Sequence, residues 1–426
     1  MAISDIQSLM HEILVDDLPS TFTEGDDLTS VLMRAEKIEA NTRAVVFNLK
    51  INPGGDFKGM DFDGGALPVG NRFQTAKPTV SSIGMVLGFN CNWLVDWATK
   101  NGKQAIRPVL REQVANTAAT WKLWMESLLN ASSNDGVLGR FKTIASAPTY
   151  TLESAAAGDT YSDGGYLLQP GGRYDIYDTT LVTLRAGGPY RVDPDGGLAT
   201  NVVPPTATFT ATVTDDVIGD KIVAQSLVNA SINSLWTHIN GGTSGTWQSL
   251  NRTKIYARAQ RVDGASQKLD APILRELFHA ILKFKGNKNS TAGLRPYMGY
   301  EQYRNYQNAA QDISQMILGG ANSSSAVNKN FDLMVGEGKI EGRTILIGNH
   351  CDPTKVGLFD PKQFRWIQVK APTMLENPEG GGYFFNIHDT TLGSPTASKS
   401  WYFGGHCNLA AVDVTGMGVV DTLAQP

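Results

Sequence analysis

The chain has 426 residues, 18% of them charged, with 44 glycines and a formal net charge of −4. That length supports two or three domains and a sizeable core. Duplex DNA carries one negative charge per about 1.7 Å of axis, so a protein that grips it needs clustered Lys and Arg; this sequence has no such cluster.

The opening stretch MAISDIQSLMHEILVDDLPS lacks the basic and apolar blocks of a signal peptide. No segment nears the roughly 18 apolar residues of a membrane span, so the sequence predicts a soluble protein folded in a cytoplasm. Residues 1–44 read as an arm. Ile6, Met10, Ile13 and Leu14 have helical spacing, and Asp26 and Asp27 stand where they would cap a second short helix carrying Leu28, Val31 and Leu32. An arm this apolar must lie on the body or on a neighbouring subunit.

Residues 45–87 read as a long hairpin. Its limbs are AVVFNLKIN and RFQTAKPTVSSIGMVLGF, and its tip is PGGDFKGMDFDGGALPVGN. The tip carries Phe57, Lys58, Met60 and Phe62. Aromatic side chains on such a loop predict that it rests on another surface.

Residues 108–131 form the central helix, about 36 Å long at 1.5 Å per residue, starting at Pro108. Leu110, Val114, Ala118, Trp121, Trp124, Met125 and Leu128 fall within one arc. Arg111, Glu112, Lys122 and Glu126 fall outside it, with Lys122 one turn before Glu126 and placed for a weak ion pair.

Residues 147–228 lose helical periodicity and are rich in Thr, Gly, Asp and Tyr. GGYLLQPGGRYDIYD, TLVTLRA, TATFTATVTD and GDKIVAQSLV read as strands of a small all-β module, a compact barrel or sandwich. TWQSLNRTKIYARAQRVD contains an edge-like strand. Asp270 then caps a helix, with Pro272 in its first turn, Gly286 past its end and Ile273, Leu277, Ala280 and Ile281 on one face. A second helix, YEQYRNYQNAAQDISQMIL, has Tyr303, Tyr306, Ala310, Ile313 and Ile317 near one stripe. Strands follow in FDLMVGEGKIEGRTILIGN, KVGLFDPKQFRWIQV and GGYFFNIHDT, and the tail reads as a closing strand pair.

Chemistry-bearing patterns are weak. His350 and Cys351 with His406 and Cys407 are zinc-type residues, but strand neighbours point to opposite faces, and buried thiols explain them better. Cys91 has no helix N-terminus beside it to lower its thiol pKa. Three cysteines are too few, and odd in number, for a disulfide framework. The Asp-Gly-Gly segments at 61–65, 163–165 and 193–197 lack the later acidic positions of a calcium loop and read as turns. No G-x-S-x-G, H-E-x-x-H or Walker loop occurs. The sequence predicts no catalytic, metal or cofactor site; the chain reads as structural and not as an enzyme.

The order of parts resembles the major capsid proteins of tailed bacteriophages, the Hong Kong 97-type fold shared with encapsulin shells. The residues that carry the likeness are AVVFNLKINPGGDFKGMDFDGGALPVGNRF as the extended loop, the 108–131 helix as the spine and KVGLFDPKQFRWIQ as an axial strand pair. TATFTATVTDDVIGDKIVAQSLVNASINSLWTHINGGTSGTWQSLNRTKIYARAQRVDG carries it as a β-module re-entering the peripheral domain. The resemblance implies an α+β fold with an N-terminal arm (1–44), an extended loop (45–87) and a peripheral domain with its spine (88–146). An inserted all-β module (147–228) would follow, then peripheral domain (229–289), axial domain (290–400) and closing strands (401–426). It implies a virion shell of hexamers and pentamers, made in a host cytoplasm, enclosing DNA without sequence-specific binding. Phe57, Lys58, Met60 and Phe62 would lie between subunits.

Portal, scaffold or cement proteins are the implied partners. Residues 1–44 leave no room for the long scaffolding segment of some members, so a separate scaffold or none is expected. Some members crosslink a loop lysine to a neighbour's asparagine. Lys58 lacks a matching Asn and acid arrangement and reads as an interfacial charge. The other readings are an encapsulin-like compartment and a β-rich carbohydrate-binding surface protein.

Overall fold

In the computed structural model the central helix runs Val109–Asn130, and the remaining elements are layered around it. The structure describes residues 27–40, 43–52, 70, 72–92, 109–153, 164–199, 205–286, 293–318, 339–340, 343–377, 385–388 and 395–424. The fold is mixed α+β, as the resemblance implies. Trp121, Met125, Leu128 and Leu129 are buried on the inner face of the helix. The arm helix Asp27–Met33 packs against it and buries Leu28 and Leu32 completely.

One sheet lies under the central helix, built on the long strand Pro395–Ala411. Ile83–Asn92 runs antiparallel along one side of it, from Ser398↔Asn92 to Cys407↔Ile83. Phe364–Met374 takes the other side over the C-terminal half, and Phe385–His388 pairs near its start. The arm strand Glu36–Glu39 joins Phe364–Met374 in parallel, Glu36 opposite Arg365. Gly404 and Gly405 sit mid-strand for a steric reason. A Cβ on Gly404 would collide with the Met85 carbonyl, and one on Gly405 with that of Lys370.

A second sheet holds seven antiparallel strands within residues 137–224. Val137–Ser146 is one of its central strands, pairing with both Thr149–Glu153 and Lys221–Ala224. The sheet therefore begins ahead of residue 147. Its core is aromatic: Phe141 stacks on Tyr150 at 4.3 Å between centroids, and Phe209 stands edge-on to both. Burial pushes the Tyr150 hydroxyl up to about 12, although the Val213 amide donates to it.

A third sheet carries five strands in the order Gln260–Asp263, Gly418–Asp421, Val356–Phe359, Arg295–Met298, Leu346–Ile347. The helix Ala271–Lys285 covers it. Asp270 accepts from the Ile273 amide at 3.0 Å, and Gly286 ends the helix at φ 66°. Leu274, Leu277, Phe278 and Ile281 are buried. Tyr303 and Tyr306 of the helix Tyr300–Leu318 pack against the same core.

Two expected pairings are not made. Val356–Phe359 and Phe364–Met374 separate at the 3-10 turn Pro361–Gln363, where Asp360 accepts from the Lys362 amide, and they enter different sheets. The tail strands also part: Pro395–Ala411 stays under the central helix, while Gly418–Asp421 crosses to the third sheet. Among the described residues no helix is long and apolar enough to cross a membrane.

Candidate assembly site

The two limbs of the hairpin pair as a ribbon. Ala44–Val46 lies antiparallel to Thr79–Ser81 and Leu49–Asn52 to Gln74–Ala76, with a register shift between Lys50 and Asn52. A two-stranded ribbon cannot bury both of its faces by itself. Its base is held: Val80 is buried with Ala40, Ile367 and Ala410, and Val45 and Phe47 lean on that cluster. The Thr79 amide donates to Gln248 O at 2.9 Å, and Asn408 donates to Ser81 O at 2.6 Å. Cover along the ribbon is uneven: Ala76 is buried and Leu49 packs on the main core, while Val46 is 54% exposed and Phe73, at the outer end of its described limb, 66%. Phe57, Lys58, Met60 and Phe62 lie outside the described residues.

The ground beneath the ribbon is a buried polar joint. Trp247 Nε1 donates to His238 Nδ1 at 3.1 Å, which leaves Nε2 to face Leu409 O at 3.3 Å. Burial drives the His238 pKa down to about 3, with nearby Arg252 adding to the effect and the Leu409 carbonyl opposing it. The imidazole is therefore neutral. Arg252, itself buried, donates to the carbonyls of Thr237 and Asn240. No sequence pattern marks this cluster, because most of its partners are backbone carbonyls, those of Thr237, Asn240 and Leu409.

The arm is fixed by a second buried network, and it corrects the expected surface ion pair of Lys122 with Glu126. Glu126 is only 1% exposed. Its carboxylate accepts from the Thr29 amide at 2.8 Å and from the Thr29 hydroxyl. Asn130 donates to it at 3.3 Å, and the Tyr297 hydroxyl donates to Asn130 at 2.7 Å. Arm, central helix and third sheet are thus joined by one chain of hydrogen bonds. A buried carboxylate is tolerable only with such partners: Asn130 stands one helical turn away, but Thr29 and Tyr297 come from far along the chain, where helical spacing cannot show them.

The seven-stranded sheet ends in two touching loops. Arg185 grips Asp220 with two hydrogen bonds of 2.8 and 2.7 Å. That contact raises the Arg185 pKa, burial opposing it. Around this staple Val182 is 80% and Ile218 60% exposed. The Thr180 hydroxyl and the Val182 and Thr183 amides hold Asp178 down to about 2.

Of the zinc-type residues, His406 and Cys407 are neighbours on the strand Pro395–Ala411, while His350 and Cys351 lie in a turn and not in a strand. His406 is exposed and Cys407 buried, its thiol pushed up to about 12 by burial. Cys351 is buried, and His350 bonds Tyr166 O. Among the described residues no three His, Cys, Asp or Glu side chains converge.

Neither a family model nor a curated protein matches the sequence. Among solved structures, the chain is similar to one from the cyanophage A-1(L) capsid asymmetric unit. Identity is 12%, the TM-score is 0.52 and both chains are covered completely. Mycobacterium phage Bobi gives 8% identity and a TM-score of 0.47, with 99% and 98% covered. An encapsulin complex from Synechococcus elongatus gives 8% and 0.45, with 100% and 97% covered. The first of these establishes the class: over its full length the chain has the fold of a phage capsid protein. The likeness drawn from the order of parts is met at that level.

Proposed function

We propose that this chain is the major capsid protein of a tailed phage, a non-enzymatic subunit that closes with its copies into an icosahedral shell around double-stranded DNA. Hexamers and pentamers would form the shell, with portal, scaffold or cement proteins as further partners. The subunit plan is of the Hong Kong 97 type: arm, extended loop, peripheral domain on the central helix and axial domain on the third sheet. The seven-stranded sheet is the inserted module, entered at residue 137.

One observation carries this reading: a capsid fold over the whole chain bears a ribbon on which Val46 and Phe73 have little cover among the described residues. A shell supplies that cover from neighbours, summed over many contacts. Phe57, Lys58, Met60 and Phe62 at the tip would then lie between subunits.

Purified protein imaged by negative stain should contain closed particles. Deleting residues 56–63 should abolish them while leaving soluble folded subunits; shells that still form would refute the role given to the loop. Particles packed with protein cargo and free of DNA would favour the compartment reading.

A further inference from the structure

A cleft of about 330 Å³ opens where the arm, the central helix and the first sheet meet. Met33, Trp121, Trp366 and Phe403 give it apolar walls, and Lys37 and Lys122 stand on it as well. Trp121 lies edge-on to Phe403, with centroids 5.9 Å apart. Trp121 and Trp366 are 5% and 1% exposed, so the apolar surface open to a ligand is that of the half-buried Met33 and Phe403. Among the described residues neither lysine has a carboxylate partner. An apolar segment that brings negative charge would complement this cleft.

The chain carries such a segment next to the cleft. Of the Lys, Arg, Asp and Glu side chains in residues 1–26, every one is acidic; the first Lys or Arg is Arg34, and His11 is the one histidine of the stretch. Ile6, Met10, Ile13 and Leu14 repeat at helical spacing, and Asp16 and Asp17 follow directly. The reach is ample. The arm helix Asp27–Met33 ends on the cleft wall at Met33 and rises only about 10 Å. Ten residue steps lead from Asp17 to Asp27, and they extend to about 33 Å. A tethered ligand also binds at high effective concentration, so modest contacts suffice.

We propose that the acidic amphipathic stretch of residues 6–17 docks in this cleft of its own chain. Its apolar side chains lie on Met33 and Phe403, and Asp16 and Asp17 face Lys37 and Lys122. The assignment does not depend on shell formation.

The test uses the full-length chain with the photo-crosslinker p-benzoylphenylalanine placed at Leu14, and mass spectrometry of the products. Crosslinks should fall on the peptides holding Met33, Trp121 or Phe403, within one chain when light and heavy isotope copies are mixed. The pair Lys37→Glu and Lys122→Glu should cut the yield at least fivefold, and adding Asp16→Lys and Asp17→Lys should restore it. The restored yield also shows that the charge-reversed chain is folded. Crosslinks elsewhere on the chain, crosslinks mainly between light and heavy copies, or a yield indifferent to the charge reversals would each overturn the proposal.

Discussion

The seven-stranded sheet and the ribbon are both antiparallel β-structure, yet one is complete within the chain and the other is not. In the sheet, Phe141, Tyr150, Tyr174, Phe209 and Ile222 are all buried, and the Arg185–Asp220 staple ties the loops at one end. In the ribbon the base, Leu49 and Ala76 are covered, but Val46 and Phe73 stand in solvent. The difference lies in strand number and not in strand quality. Seven strands bury one another's side chains, while two cannot. Stability and assembly should accordingly separate along this line, with substitutions in the sheet acting on folding and those on the outer ribbon acting on association.

The largest effect is expected in the aromatic core. Phe141→Ala removes a fully buried ring that stacks on Tyr150 and meets Phe209, and should cost about 3–5 kcal/mol. The urea midpoint of the unassembled subunit would report it. A loss below about 1 kcal/mol would show that the sheet core is not close-packed.

Next comes the staple. Arg185→Ala strands the fully buried Asp220 carboxylate, a change that typically costs about 3–5 kcal/mol. The Val217 amide still donates to Asp220 at 2.9 Å, so the lower end of that range is expected. Exposed Arg261, paired with Asp421 at 2.7 Å, is the control: Arg261→Ala should change stability by less than about 1 kcal/mol.

The base of the ribbon should respond to acid. His238 has a folded pKa of about 3 against an ordinary 6.5. A depressed pKa means that the fold holds the neutral form. This stabilisation is complete above pH 6.5 and is lost as pH falls toward 3, by up to about 1.4 kcal/mol per pH unit. Between pH 6.5 and 5 the urea midpoint should drop, and His238→Gln should flatten that drop. Trp247, which donates to His238, is followed by Gln248, whose carbonyl holds Thr79 of the ribbon. Amide exchange at Thr79 should quicken over the same interval.

What could be read in the sequence follows from how local each signal is. Asp270, Pro272 and Gly286 mark the capped helix within a few residues, and the structure places it there. Glu126 reads as surface because a charge at helical spacing beside Lys122 is ordinarily solvated. Its inward turn depends on Thr29, 97 positions away. Residues 137–146 read, with the central helix, as peripheral domain. Val137–Ser146 belongs to the seven-stranded sheet through Lys221–Ala224, a pairing that only the folded chain brings about. The strands flanking Pro361–Gln363 read as strands, but which sheet each joins is a matter of burial against distant partners. Trp247 lies in a two-residue strand and Arg252 in a turn, too short for periodicity to carry information about burial.

The smallest effect on the subunit should be the most telling for the comparison. Phe73→Ser changes a side chain that is 66% exposed on the outer ribbon. Surface substitutions away from special features fall within about 0.5 kcal/mol, so the urea midpoint of the unassembled subunit should not move. Particle formation should fall sharply, because a residue bare in the subunit can contribute its apolar area only when a neighbour covers it. Sedimentation of the assembled fraction, measured on the same preparation, separates the two effects. Unchanged assembly would mean that the stem of the ribbon stays in solvent even in the shell, and would confine contact between subunits to the tip or to the other faces of the chain. A lowered midpoint would mean that Phe73 packs on its own chain, and the ribbon would lose its standing as the unfinished half of the comparison.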